Sequence, residues 1–201
     1  MLDAFLDLFA PEACVGCGRT ATTLCRSCAA TVPRPTGAMS IPGCATVTSP
    51  WVYEGYARDL VLGLKLRGRR GAARPLAAAI SRALAEHRLP TEVVTWIPAR
   101  RRDASERGLD HAEAIARRVA ATLGLPAARL LAWADDRVDQ AALDRAARKR
   151  NLAGAFRARR VTVPVLVIDD VVTTGATLAA AAHGLAIAGA PRVDVAAACT
   201  A

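Results

Sequence analysis

The residues best suited to chemistry lie late in the chain. Val165, Leu166, Val167 and Ile168 run into Asp169 and Asp170, and these are followed by Val171, Val172, Thr173, Thr174, Gly175, Ala176 and Thr177. Two adjacent carboxylates can hold hydroxyl groups or a hard cation such as Mg²⁺, but they repel a phosphate. Thr173, Thr174 and Thr177 carry hydroxyl donors, and Gly175 lets the backbone approach an anion with no Cβ in the way. A sugar phosphate satisfies both halves, with Asp169 and Asp170 on the ribose and Thr173, Thr174, Gly175, Ala176 and Thr177 on the phosphate. The plainer alternative is that the Asp pair caps a turn and the threonines merely begin a helix.

Such groups must be held by particular elements. Four consecutive apolar residues before the Asp pair, two Val and one Ile among them, predict a strand buried on both faces of a parallel sheet. The Ala- and Leu-rich run over 176–188 predicts a helix. A helix that starts where a parallel strand ends presents unpaired N–H groups and the positive end of its dipole, at the edge where open α/β sheets bind ligands.

The run of Ile168, Asp169, Asp170, Val171, Val172, Thr173, Thr174, Gly175, Ala176 and Thr177 resembles the motif with which type I phosphoribosyltransferases bind 5-phosphoribosyl 1-pyrophosphate (PRPP). The resemblance implies that Asp169 and Asp170 are the catalytic pair on the ribose hydroxyls. It also implies that Thr173, Thr174, Gly175, Ala176 and Thr177 cradle the 5′-phosphate.

A second constellation stands near the start, where Cys14 and Cys17 are followed by Cys25 and Cys28, each pair spaced C-x₂-C. Paired knuckles of this kind bring four thiolates within tetrahedral reach of one Zn²⁺. A full Cys₄ set leaves no open coordination position, so the metal is expected to be structural. Disulfides compete as a reading, but no basic secretory leader begins the sequence and cytosolic thiols stay reduced. Cys44 and Cys199 stand alone and receive no role.

Composition bounds the rest. A chain of 201 residues, 53% hydrophobic and 22% charged, can bury a sizeable core and has room for one α/β domain with a small appendage. No apolar run approaches the roughly 18 residues of a membrane span, so a cytoplasmic location is expected. The net charge of +9 suits either a nucleic acid or a pyrophosphate-bearing substrate, although aromatics at 4% offer little for base stacking.

In chain order, Leu2, Phe5, Leu6 and Phe9 predict a short amphipathic helix ahead of the cysteines. Residues 31–50 contain Pro33, Pro35, Pro42 and Pro50 and read as a linker. The expected division is 1–44 for helix, zinc knuckle and linker, and 45–201 for the phosphoribosyltransferase-like domain. A strand over 51–53 and a helix over 59–66 lead to Arg67, Gly68, Arg69, Arg70 and Gly71, which form either a solvated turn or a cationic lid. A helix over 72–87 and a strand over 92–97 follow.

An Arg-rich loop then precedes a helix announced by Asp110 and Glu113, with Ala112, Ile115, Ala116, Val119, Ala120 and Leu123 as its core face. Strands over 129–133 and 193–196 and a helix over 141–150 complete a mostly parallel, doubly wound sheet. If the two chemistry-bearing loops neighbour one another at one sheet edge, one holds the 5′-phosphate and the other the pyrophosphate, for which Lys65, Arg100 and Arg107 are the candidate residues. His111 is read as a general base or as a capping or surface residue.

The whole order of blocks is similar to the ComF family of competence-associated phosphoribosyltransferase-like proteins. The blocks are the Cys₄ set; Leu64, Lys65, Leu66, Arg67 and Gly68; Ile97 and Pro98; Arg107 and Gly108; Gln140, Arg148, Asn151 and Phe156; then the PRPP-type motif. Membership implies a zinc module on a type I phosphoribosyltransferase fold, Mg²⁺ accompanying PRPP, and a link to single-stranded DNA and competence proteins in DNA uptake and natural transformation. Where that family reads Arg-Gly-Phe-Asn-Gln, this chain has Arg107, Gly108, Leu109, Asp110 and His111, which replaces amides by a carboxylate and an imidazole. No base-binding hood is recognisable, which leaves the phosphoribosyl acceptor open. The alternative function is a non-catalytic module that binds single-stranded DNA or a partner and retains the PRPP-site fold.

Overall fold

The computed structural model describes residues 13–100, 110–134 and 154–201. The helix expected over 2–9, the helix expected over 141–150, and Arg107, Gln140, Arg148 and Asn151 lie outside them.

Three short runs rich in apolar residues form the interior of the sheet. Strand β6 (Val165–Val172) lies between β3 (Val93–Trp96) and β7 (Val193–Thr200), all parallel, with Trp96 beside Ile168 and Val165 beside Val193. On the far side of β7, β1 (Thr46–Thr48) and β2 (Trp51–Val52) pair with it in succession, again parallel. The sheet order is thus β1-β7-β6-β3, with β2 continuing β1 along β7. Strands β4 (Leu131–Trp133) and β5 (Phe156–Ala158) form a separate antiparallel pair.

Helices cover both faces of the sheet. One face packs against α2 (Gly55–Leu66), α3 (Ala73–Leu84) and α4 (His111–Leu123), and the other packs against α5 (Ala176–Ile187) and the β4–β5 pair. Successive strand residues point to opposite faces. Leu166 and Ile168 therefore join the first core, while Val165 and Val167 join the second, all four fully buried. This is the doubly wound, mostly parallel sheet that the alternation of elements predicted. No helix among the described residues is long and apolar enough to cross a membrane.

Two expectations need correction. Strand β6 does not end at Ile168; it pairs with β7 as far as Val172 and Thr200, which puts the Asp pair inside the strand. Nor is 31–50 only a linker. Thr46–Thr48 is the edge strand, tied down where Arg192 donates from Nε and Nη2 to Asp194 and from Nη2 to Thr46 Oγ1 at 3.1 Å. Ile41, in the same stretch, is buried in the second core. Proline content disfavoured strand, but an edge position needs only one side of the backbone to pair.

The cysteine region, with the short helix α1 (Arg26–Ala30), is continuous with the first core. Cys14, Leu24, Cys25 and Val32 pack in the same cluster as Leu60, Val61 and Leu64 of α2.

Candidate active site

The site is assembled at the carboxyl edge of the sheet, where adjacent parallel strands release their loops side by side. Ile97 donates its N–H to the Ile168 carbonyl at 3.0 Å, so the loop after β3 and the loop after β6 leave the same edge. The loops that bear Arg100 and Thr174 therefore leave one edge, although β6 runs on past Ile168 to Val172 before its own loop begins.

Within β6 the two carboxylates diverge because strand neighbours face opposite ways. Asp170 turns to α2, where Lys65 Nζ meets its Oδ1 at 2.7 Å; the Asp170 side chain is 12% exposed and that of Lys65 34%. Lys65, expected on the pyrophosphate, is thus held against the acidic pair by the last turn of α2. Asp169 accepts the Asp170 N–H at 2.8 Å. Burial pushes the Asp169 carboxyl up to about 8, with the Asp170 charge adding to the shift, Lys65 opposing it and Asp110 contributing further. A carboxyl in that state can donate a hydrogen bond as well as accept one.

Asp110 enters the site as the cap of α4. Its Oδ1 accepts from Glu113 N at 3.2 Å, the cap geometry that its spacing predicted. Its Oδ2 accepts from Ala99 N at 3.0 Å, which ties the helix start to the loop after β3. His111 is buried at 8% exposure. That burial does not fit a surface position.

Thr173, Thr174, Gly175, Ala176 and Thr177 form the turn from β6 into α5, and Gly175 sits at the N-cap with φ +73°. That backbone region costs a side-chain-bearing residue about 1–2 kcal/mol. A Cβ at 175 would also lie 2.8 Å from Ile41 Cδ1, so the loop is backed by the stretch that precedes the edge strand. Thr173 and Thr174 are exposed and Thr177 is half-buried. The Thr174 hydroxyl reaches the Ala176 N–H at 3.4 Å, leaving the first turn of a twelve-residue helix open to an anion.

Arg100 stands on the other loop, with its guanidinium carbon 4.1 Å from the centre of the Trp133 ring. Trp133 and Phe156 are cross-strand partners whose ring centroids lie 4.2 Å apart. Ile41 and Trp133 escaped the sequence reading. Ile41 was hidden by its proline-rich setting, whereas Trp133 is one of only three Trp in the chain and its rarity was a usable signal.

The four cysteines converge at a separate place. One sulfur from each of Cys14, Cys17, Cys25 and Cys28 lies within 4.8 Å of the others. The Cys17 and Cys25 sulfurs are 3.7 Å apart. That is far beyond a disulfide bond of about 2.05 Å and matches the edge of a tetrahedron with metal–sulfur bonds of about 2.3 Å. The donor set fits one zinc ion. Burial acts upward on the Cys14 thiol, but backbone N–H groups of Cys17, Cys25 and Gly16 outweigh it and hold Cys14 below the usual thiol range. Cys28 goes the other way, raised first by its hydrogen bond with Cys25 and then by burial. Were all four ionised at this spacing, they would need a cation between them. Gly16 permits the approach: a Cβ there would lie 2.7 Å from Cys28 Sγ and 2.9 Å from the Tyr56 ring. Of the remaining cysteines, Cys199 is fully buried, and burial pushes its thiol up to about 12.

No family model matches the chain, and no curated protein does. Among solved structures it is similar to that of the allosteric regulatory enzyme of purine biosynthesis, with 23% identity, a TM-score of 0.41, and coverage of 63% of this chain and 25% of that one. It is similar also to a glutamine PRPP amidotransferase from B. subtilis, with 20% identity, a TM-score of 0.43, and coverage of 65% and 27%. The third is an adenine phosphoribosyltransferase from Leishmania tarentolae, with 18% identity, a TM-score of 0.36, and coverage of 61% and 54%. The chain spans about a quarter of the first two structures and about half of the third.

Proposed function

We propose that this chain binds PRPP at the carboxyl edge of its sheet, as a phosphoribosyltransferase-like protein of the ComF type, and transfers the phosphoribosyl group with release of pyrophosphate. The reading is supported by the Lys65–Asp170 pair beside Asp169 on β6 and by the first turn of α5 that follows it, with Arg100 on a loop that leaves the same sheet edge. In the transfer, the bond from ribose C1′ to the pyrophosphate oxygen breaks, a bond from C1′ to the acceptor forms, and the electron pair leaves with pyrophosphate. Positive charge develops on the ribose and negative charge on the leaving group.

The residues divide that work by charge. Thr173, Thr174, Gly175, Ala176 and Thr177 hold the 5′-phosphate, while Asp169 and Asp170 hold the ribose hydroxyls. Lys65 and Arg100 face the departing pyrophosphate, together with Arg107. Mg²⁺ fits this reading as the pyrophosphate's counter-ion, and the hard oxygens of Asp169 and Asp170 are the chain's suitable donors. Zinc at Cys14, Cys17, Cys25 and Cys28 is structural. Residues 1–44 serve as its module and 45–201 as the catalytic domain, in a cytoplasmic protein.

Calorimetric titration of PRPP with and without Mg²⁺ tests the reading. Metal-dependent binding that disappears in the Asp169→Asn/Asp170→Asn double variant supports it, and no binding to the wild type removes it.

The second reading is a module that binds single-stranded DNA or a competence partner during DNA uptake. It is favoured by the net charge of +9 and by the exposed Arg67, Arg69 and Arg70 beyond α2. Backbone binding should weaken with salt with a slope of about −0.7 per phosphate neutralised. Binding that ignores salt removes this second reading.

A further inference from the structure

We propose that Trp133 is a positioning residue for Arg100: the indole sets the plane of the guanidinium so that its N–H edges meet the pyrophosphate of PRPP, a role resting on the PRPP reading above. Three contacts carry the inference. The Arg100 guanidinium carbon stands 4.1 Å from the Trp133 ring centre. The Trp133 Nε1–H donates to the Pro98 carbonyl at 2.8 Å, so the ring is tied to the loop that bears Arg100. Phe156 packs against the same indole at 4.2 Å and 34°, and Trp133 and Phe156 are directly paired across β4 and β5.

The physical consequence follows from how a guanidinium binds. A planar cation stacked on a ring uses its face for the ring and keeps all its N–H donors in the plane, free for a bidentate oxyanion. Arg100 is itself exposed, and without a ring beneath it a long side chain would lose its rotamer freedom on binding. The indole removes part of that cost before the ligand arrives. Phe156 on one side and Arg100 on the other also cover the indole, so the ring serves the cation and is not a stacking surface for an acceptor base.

The experiment compares PRPP with ribose 5-phosphate, which shares the sugar and the 5′-phosphate but lacks the pyrophosphate. Calorimetric titrations use the full chain with Mg²⁺ on wild type, Trp133→Ala, Trp133→Phe, Arg100→Lys and the Trp133→Ala/Arg100→Lys pair. PRPP is expected to bind about tenfold more weakly to Trp133→Ala, while ribose 5-phosphate changes by less than about twofold. Trp133→Phe restores most of the PRPP affinity, because it keeps a ring under the cation. The double variant loses no more than Arg100→Lys alone, since the ring acts only through the guanidinium.

Equal weakening of both ligands by Trp133→Ala, or additive losses in the double variant, would overturn the positioning role while leaving the sugar-phosphate site intact. Arg100 is exposed, so its lysine variant folds whatever becomes of the indole variant. A wild type that binds neither ligand removes the PRPP reading itself, and this inference with it.

Discussion

The cysteine cluster and the carboxyl-edge site both gather several groups of like charge, and they solve the resulting repulsion in opposite ways. In the cluster the donors turn toward one another: four sulfurs lie within 4.8 Å, and two of the four cysteines, Cys14 and Cys25, are buried in the core. A single cation satisfies the whole set, leaving no donor for an outside ligand. At the sheet edge the donors turn apart. Asp169 and Asp170 are neighbours in sequence but face opposite sides of β6, and Lys65 takes one of them at 2.7 Å. In the proposed function, such a site is completed by the sugar phosphate that it binds. A closed constellation stabilises the fold, whereas an open one stores its binding capacity in unspent donors and raised pKa values.

The largest effect that would break this comparison is expected from Cys14→Ser. Removing one of four ligands should lower zinc content well below one per chain and cost several kcal/mol, because structural zinc binding is folding free energy. Cys14 shares its apolar cluster with Leu60 and Leu64 of α2, so the loss should appear in the melting of the whole chain and not only in the knuckle. Metal analysis with thermal unfolding measures both, and an unchanged Tm after complete metal loss would mean that the cluster is not the closed structural unit described.

Gly175→Ala should act next, and at the other region. The residue would take φ +73° with a side chain and push against Ile41, costing about 1–3 kcal/mol in strain and displacing the turn into α5. PRPP affinity should fall by at least about tenfold while zinc content stays as in the wild type. Equal effects on both would sharpen the comparison into one of coupled regions.

The third effect is a dependence on pH. Asp169 is raised to about 8 in the folded protein, above its ordinary 3.8. Between those values the folded chain binds more protons than the unfolded one, so stability should decline as pH rises from about 4 to about 8. Asp169→Asn should flatten that slope. Over the upper part of the range the charged carboxylate becomes available for ribose hydroxyls, so PRPP affinity of the wild type should rise toward pH 8. Calorimetry across pH on both proteins checks the pair of trends, and a wild-type stability that climbs through that window contradicts the raised value.

What could be read ahead of the structure follows the range of each signal. The apolar run ending in Asp169 and Asp170, the Ala- and Leu-rich helix after Gly175, the Asp110 cap with Glu113 and the two C-x₂-C pairs are local patterns, and each formed as its spacing predicted. Boundaries were less legible: β6 runs on through the Asp pair because β7 continues beside it as far as Thr200. The edge strand Thr46–Thr48 was hidden among prolines, since its pairing partner lies more than a hundred residues away in sequence.

The sequence by itself therefore determined the donor types, the helix and strand that flank the turn at Gly175, and the clustering of four cysteine sulfurs. These depend on residues a few positions apart, whose geometry the backbone sets locally. Tertiary structure alone decided that Lys65 meets Asp170, that Ile41 backs Gly175, and that Trp133 lies under Arg100. Each of those pairs joins segments brought together only by the order of strands in the sheet and the packing of elements on its faces. No spacing along the chain encodes that order.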